Sequence, residues 1–537
     1  MRHSQLIAIG LATAIGSISP SVLSAQSSAQ TAGAATASQA KPPGLQCTPA
    51  AGRSPVPDPF KEKLVGEFPM GLLPIDDQVK DNILESGLPC QEHVSPLGVE
   101  KEGLENLQRG FDFYSWRTFI ALNSPADGTP IEGARPGMRT RWEDMDNFKQ
   151  LLDVMLPANL QPPKWPTDRA GMEAERERLM PEECHDLHKQ MPDRMVVKMI
   201  EESFNEPFKT GPLIDQQGHY AIFDILMNRQ MFDYIMNNHL NTQVGQMSAA
   251  NSGLSVDFPA GNDHPPRDDP SPTLGAFMLK VSWKILVPEE IQAKDFHMVE
   301  ALVLMPPGDP KAKRPCLPET LGLIGFHAVH KTVGRPQWIW TSFEHVKNVP
   351  DVEEVTAKKF SGLYNFFNIN CRDDCPEVNA TPPRQLWQPD PALELKFGDA
   401  KFKSQIVRET PQTDATKNMN KIFQSILHGT VWENYMLITT QWPSVFGCTS
   451  LHSQVSDAPA PRTDFLKQPD MTCSPAPTFM ANSTLETYSQ GEIPQASSSC
   501  IGCHGNAVGF QTGASNPKPN QVLLNQSDFT FILEKAQ

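Results

Sequence analysis

Fifty prolines stand among the 537 residues of this chain. Each removes a backbone donor and fixes φ, so helices and strands must be short and joined by long irregular connections. Between the prolines the apolar pattern changes period. Over Glu102–Leu122 the residues Leu104, Leu107, Phe111, Tyr114 and Phe119 recur at helical spacing. A second such pattern runs over Arg141–Met155, and Tyr220–Leu240 repeats it through Phe223, Met227, Tyr234 and Ile235. These predict a mainly helical region over 61–270, which makes the N-terminal half helical. From 271 to 350 the runs Phe277–Val287, Phe296–Met305, Leu321–Lys331 and Gln337–Phe343 are β-branched or aromatic and bounded by Pro, Gly and Asp. They predict a strand-rich module built on an antiparallel sheet. A mixed helix and loop region follows over 351–470, where Met419–Tyr435 carries the stripe Ile422, Phe423, Ile426, Leu427 and Trp432. The fold class is α+β, with a small helical segment over 471–537.

The N-terminus has the three-part order of a secretory signal: Arg2, an apolar stretch Leu6–Gly16, and the small-residue exit Val22-Leu23-Ser24-Ala25. Cleavage near Ala25 makes 1–25 the signal peptide and predicts a periplasmic or otherwise exported protein. Residues 26–60, rich in Ala, Ser, Thr, Gln and Pro, cannot bury enough surface to offset their ordering entropy and read as a flexible leader. No later stretch is long and apolar enough to span a bilayer, so the mature chain is expected to be soluble. Loss of Arg2 takes the formal charge from −16 to −17. Such a surface disfavours nucleic acid and anionic lipid and favours a partner with a basic or neutral docking face. Of ten cysteines, eight lie outside the motif described next, an even number that in an oxidising compartment predicts disulfides. Cys371 with Cys375 and Cys448 with Cys473 each close a local loop.

The motif is Cys500-Ile501-Gly502-Cys503-His504. Two thiols two residues apart can add across the two vinyl groups of one porphyrin, and a histidine directly after the second can place its imidazole under the iron. The spacing predicts one covalently attached haem c, with Cys500 and Cys503 as thioethers and His504 as proximal iron ligand. Three other readings of these residues exist. A thioredoxin-like redox pair needs a βαβ unit around it, yet 33 residues follow His504. A zinc site needs a second ligand pair, and Cys371 and Cys375 have a looser spacing far upstream. A plain disulfide between Cys500 and Cys503 leaves His504 without a role.

The C-terminal segment resembles the c-type cytochromes, through Ser483-Thr484-Leu485-Glu486-Thr487-Tyr488, the motif itself with Gly505 after it, and a terminal helix candidate Asp528–Ala536. The resemblance implies that the motif opens a helix and that a final helix brings an aromatic residue, Phe529 or Phe531, to the haem edge. One departure from the family is plain: no Met and no His follows His504, and the last methionine is Met480. The sixth iron position must therefore be filled from upstream, filled by a weaker group such as Lys518, or left open. Upstream candidates are Met480, whose thioether would raise the potential, His428 beside its apolar stripe, and His327 and His330. A strand sends His327 and His330 to opposite faces, so at most one of them can reach the iron.

Two weaker constellations are His185 with His188, three apart in an acidic stretch, and Trp338 with Trp340 beside Phe343-Glu344-His345. The first fits a metal or a solvated turn, the second an electron path or sheet packing. Phosphate-binding glycine loops, nucleophile elbows and metalloprotease His-Glu-x-x-His motifs are absent from the sequence. The functions compatible with these residues are electron transfer to a redox partner protein, a haem enzyme of peroxidase or oxygenase type, and a haem-based sensor.

Overall fold

Alternation along Phe277–Ile285 sets the architecture. Phe277, Leu279, Val281, Trp283 and Ile285 enter one large apolar core, while Met278, Lys280, Ser282 and Lys284 face the other way. The computed structural model describes residues 45–48, 87–92, 94, 103–157, 159–198, 211–263, 272–304, 315–372, 375–381, 403–410, 412–445, 447–448, 474–491, 498–505, 507–509 and 527–537. Its strands are β1 Cys47–Thr48, β2 Leu88–Pro89, β3 Phe148–Gln150, β4 Met195–Lys198, β5 Ile222–Asn228, β6 Phe277–Ile285, β7 Met298–Leu304, β8 Cys316–Thr332, β9 Arg335–His345, β10 Tyr435–Pro443 and β11 Pro475–Ala476. Its helices are α1 Leu104–Asn123, α2 Leu151–Val154, α3 Arg169–Leu179, α4 His185–Gln190, α5 Arg229–Asn237, α6 Gln243–Asn251, α7 Pro288–Ala293, α8 Val352–Ala357, α9 Asp414–Ile426 and α10 Cys500–His504. The fold is α+β, and residues 43–537 form one compact unit.

The main sheet has nine strands, running β11-β10-β9-β8-β6-β5-β3, with β7 and then β4 branching from β8. The long β8 makes the branch possible: its first half pairs with β7 and its second with β6. All pairings on this sheet are antiparallel except β4 with β7. On one face lie α1 and α9. Trp116 of α1 stacks on Phe423 of α9 with centroids 4.9 Å apart, and Phe119 stacks on Phe343 of β9 at 4.2 Å. Polar residues of α1 are buried as well, because they find partners there: Asp112 accepts from Gln108 of α1, Thr416 of α9 and Thr440 of β10. Burial nonetheless pushes the Asp112 carboxyl up to about 6.

The opposite face carries a polar row beside a mostly apolar one. Lys280, His327 and Ser342 sit directly opposite one another on β6, β8 and β9, and beside them Met278, Val329, Trp340 and Gln441 continue onto β10. Segments 474–491, 498–509 and 527–537 include residues that cover this face. Asn482 donates to Ser342 Oγ and the Phe343 carbonyl, each at 3.0 Å, Ser282 and Thr484 hydroxyls bond at 3.0 Å, and Asp528 pairs with Lys331 at 2.5 Å. Gly325 permits the close approach, since a Cβ there would collide with the hydroxyls of Ser282 and Thr484. Helix α6 holds the tail from the side: Gln246 donates to the Leu533 carbonyl at 2.8 Å and Gln243 to that of Ala536 at 3.1 Å. Thr242 caps α6 by accepting from Gly245 N. Thr242→Ala is expected to cost about 1 kcal/mol, measured as a lower denaturant midpoint.

Among the described residues a helical N-terminal half is not clearly shown. The region over 61–270 contains β2, β3, β4 and β5 beside its helices. Arg141–Met155 is a series of turns leading into β3 and the single turn α2. Tyr220–Leu240 divides into β5 and α5, with the Asn228 side chain capping the helix through Met231 N. The reason is burial on both faces of β5. Phe223 and Ile222 enter different cores, so the strand shows apolar residues on both faces, interrupted by Asp224, in a pattern that fits either period. Likewise Met419–Tyr435 is the end of α9, a turn through Gly429 at φ 85°, and the first residue of β10. The terminal segment forms a 3-10 turn, Phe531–Lys535, entered through Asp528 and Phe529 at positive φ, in place of a helix over Asp528–Ala536.

Disulfides join Cys47 to Cys90, Cys184 to Cys316 and Cys371 to Cys375. Cys473, the proposed partner of Cys448, lies outside the described residues, as does the signal peptide. Within the stretch read as a flexible leader, β1 pairs in parallel with β2 beside the Cys47–Cys90 bond. No described helix is long and apolar enough to cross a membrane.

Candidate functional site

The motif folds as helix α10 and lies against β9 and β10. Ser499 caps it, its hydroxyl accepting from Gly502 N at 3.1 Å. Gln441 Oε1 on β10 accepts from Ile501 N at 2.8 Å and from Ser499 Oγ at 3.3 Å, which fixes the start of the helix to the sheet. Cys500 and Cys503 are three apart and so share a helix face. They are the two free cysteines among the described residues. Cys500 is buried and Cys503 half-buried. Burial pushes the Cys500 thiol well up and Cys503 up to about 12, with the Glu486 carboxylate adding to both shifts. In the folded chain both are neutral thiols and poor nucleophiles.

His504 is held on three sides. Its ring lies 4.3 Å from that of Trp340 and 4.9 Å from that of Phe531, and its Nδ1 is 3.0 Å from the Phe529 carbonyl oxygen. Burial holds the imidazole neutral, with its pKa down at about 4. A neutral ring carries one proton, and a carbonyl can only accept, so that proton is on Nδ1 and the Nε2 lone pair is left for another partner.

Beside the helix lies an ionic group that the polar row of the sheet creates. Glu486 accepts from His327 Nε2 at 2.9 and 3.0 Å and from Lys280 Nζ at 3.4 Å. Burial would raise the Glu486 carboxyl, but His327, Lys280 and the Asn482 amide outweigh it and hold it at about 2. His327 Nδ1 is buried and has no hydrogen-bond partner. In the neutral ring, with its proton on Nε2 toward Glu486, Nδ1 would carry a lone pair, which is the arrangement that orients metal-ligating histidines. Met480 is buried in the apolar cluster that holds Cys500, Ile501, Trp338 and Trp340, and its backbone N donates to the Ser498 carbonyl at 2.6 Å.

The remaining sequence candidates lie elsewhere. His330 faces the α1 side of the sheet, where Nδ1 meets the Tyr114 hydroxyl at 2.5 Å and Nε2 the Leu274 carbonyl. His428 is exposed and bonded to Glu433 at 2.6 Å. Lys518 falls outside the described residues. His185 pairs with Glu177 at 2.7 Å, while His188 is buried. Among the described residues no three His, Cys, Asp or Glu side chains are grouped to hold a metal ion. Trp338 and Trp340 pack in the cluster around α10, whereas Glu344 and His345 bind Arg408 and the Asp295 carbonyl. Phe529 contributes its carbonyl and Phe531 its ring.

Sequence reasoning did not find Glu486, Lys280 or Gln441. Lys280 had a signal, since Lys280, Ser282 and Lys284 alternate with apolar neighbours and mark a second, polar face. Two free thiols on one helical face and a following imidazole with an available Nε2 fit the donor set that covalent haem requires. No family model, no curated protein and no solved structure matches this chain.

Proposed function

We propose that this chain is an exported electron-transfer protein carrying one haem c, bound through Cys500 and Cys503 with His504 as the proximal ligand. The observation that carries this reading is the His504 Nδ1 contact with the Phe529 carbonyl, because it fixes both the tautomer and the ring direction a metal ligand needs. When bound, the haem supplies a one-electron couple. The chain's own part is to exclude water and supply the sixth position. Met480 and His327 are the residues suited to it, one as a buried thioether and the other as an imidazole oriented by Glu486. Both ring nitrogens of His330 are engaged and His428 lies in solvent, so neither belongs to the proposed set. The three disulfides among the described residues suit an oxidising compartment. The formal charge of −16 suits a redox partner with a basic or neutral docking face.

The test is direct. The chain expressed with its leader in a host competent for haem attachment is expected to show haem staining after denaturing electrophoresis, and Cys500→Ala with Cys503→Ala to lose it. Persistent staining in the double variant would sink the proposal. Absorption and resonance Raman spectra are expected to show a six-coordinate low-spin iron. A five-coordinate iron that reacts with peroxide would replace the carrier reading with an enzymatic one, with His327 and Glu486 as the acid-base pair.

A further inference from the structure

A cavity of about 640 Å³ opens between the two branches of the sheet, bounded by β3 and β5 on one side and β4 and β7 on the other. No residue of α10 or of the segments around it lines this space, so it is independent of the site above. Its size falls in the range of small-molecule sites. The walls are amphipathic in a specific way. Met138, Met145, Met180, Met191, Met195 and Met298 supply an apolar lining of unbranched, polarisable side chains that adapts to the shape of what it holds.

The charges on the lining do not balance. Lys198 pairs with Asp153, Arg194 with Glu300 at 2.7 Å, and Glu143 with His297 at 2.6 Å. Arg139, Lys149 and Arg176 also line the cavity, and among the described residues none of them has an ion-pair partner. Arg139 and Arg176 donate only to backbone carbonyls, those of Asp193 and Arg194. Lys149 is buried, with its ammonium 5.3 Å from the centre of the Trp165 ring. Asp193 is the lining carboxylate left against these three cations, and it is exposed. Burial and the neighbouring Arg139 lower the Arg176 pKa against Asp193, Glu173 and Glu177, and burial lowers that of Lys149 against Asp153, Glu175 and Asp146. A cationic cavity stands out in a chain with formal charge −16.

We propose that this cavity binds an organic anion, a carboxylate or sulfonate on an apolar body, with Arg139, Lys149 and Arg176 receiving the acid group and the methionines the body. A buried ammonium outside any ion pair is costly, and a bound anion supplies the partner that Lys149 lacks, with half-buried Arg176 and exposed Arg139 beside it.

Calorimetric titration of the full-length, haem-loaded protein tests this with three probes of one chain length, each below its micelle concentration: decanoate, decanol and decyltrimethylammonium. Decanoate is expected to bind one per chain, about tenfold or more tighter than either other probe. Arg139→Gln, at an exposed position, and Lys149→Met are each expected to weaken decanoate about tenfold and leave decanol unchanged. Arg139→Gln keeps the test open if the buried substitution unfolds the chain. Equal binding of decanoate and decanol would overturn the proposal, as would no binding of decanoate, or undiminished binding by folded Arg139→Gln.

Discussion

Glu344→Gln is expected to lower the unfolding free energy by about 3–5 kcal/mol. Glu344 and Arg408 are fully buried, and the two guanidinium nitrogens Nη1 and Nη2 each meet one carboxylate oxygen at 3.0 Å. The same carboxylate accepts from the backbone N and the hydroxyl of Ser483, so it also fastens the covering segment to β9. Removing its charge leaves the Arg408 guanidinium in the interior with Asp351 as its remaining ionic partner, at 2.9 Å. The size of the loss comes from that stranded cation more than from the pair's own worth. Glu344→Leu combined with Arg408→Met should therefore recover more than half of it, because the charge then left without an ionic partner, Asp351, is 35% exposed and can be solvated. Chemical denaturation of both variants reads the difference. A loss below about 1 kcal/mol in the single variant would mean that water reaches the pair and screens it.

Acid should reveal the second large effect. Glu486 titrates at about 2 in the folded chain against an ordinary value of 4.5. A carboxyl depressed by folding contributes stability that is complete above the ordinary value and is lost as pH falls through the folded one. The contribution is about 3 kcal/mol, and the side chain is only 17% exposed, so solvent screening removes little of it. Glu486→Gln should lose this amount near neutrality and converge on the unmodified chain between pH 4.5 and 2. The difference between the two stability curves isolates this carboxyl from the other acids that titrate in the same window. A difference that stays constant from pH 7 to pH 2 would show that the pairing with His327 and Lys280 does not stabilise the fold.

Which parts of this were readable from the residues follows from how each part is held. Phe277–Val287 and Gln337–Phe343 announce themselves because their neighbours in the sheet are antiparallel and their β-branched and aromatic side chains fill a half-buried surface. Leu321–Lys331 reveals only the later part of β8, since Pro318 interrupts the apolar run while the backbone still pairs with β7. At Ile222–Asn228 the pattern misleads, because cores on both faces erase the alternation that separates a strand from a helix. The motif Cys500 to His504 is local chemistry and is legible at once. Its surroundings are not. The pairing of Glu486 with His327 spans 159 residues, and the contact of Gln441 with α10 spans 60. Neither leaves any periodic mark on the sequence. That His327 and His330 face apart could be read from the parity of a strand, whereas the unpartnered Nδ1 of His327 is a property of the packed neighbourhood.

The burial of Cys500 also sets an order of events in the making of the protein. A thiol enclosed by sheet and tail, and held protonated by its surroundings, is out of reach of any maturation machinery. On the haem reading proposed above, attachment at that sulfur would belong to the interval before segments 474–491, 498–505 and 507–509 settle on the sheet. During that interval Lys280, His327 and Ser342 stand in water, where their exposure costs nothing. The polar row can wait in water, whereas Met278, Val329 and Trp340 in the row beside it are apolar and need the cover that Met480, Cys500, Ile501 and the tail supply.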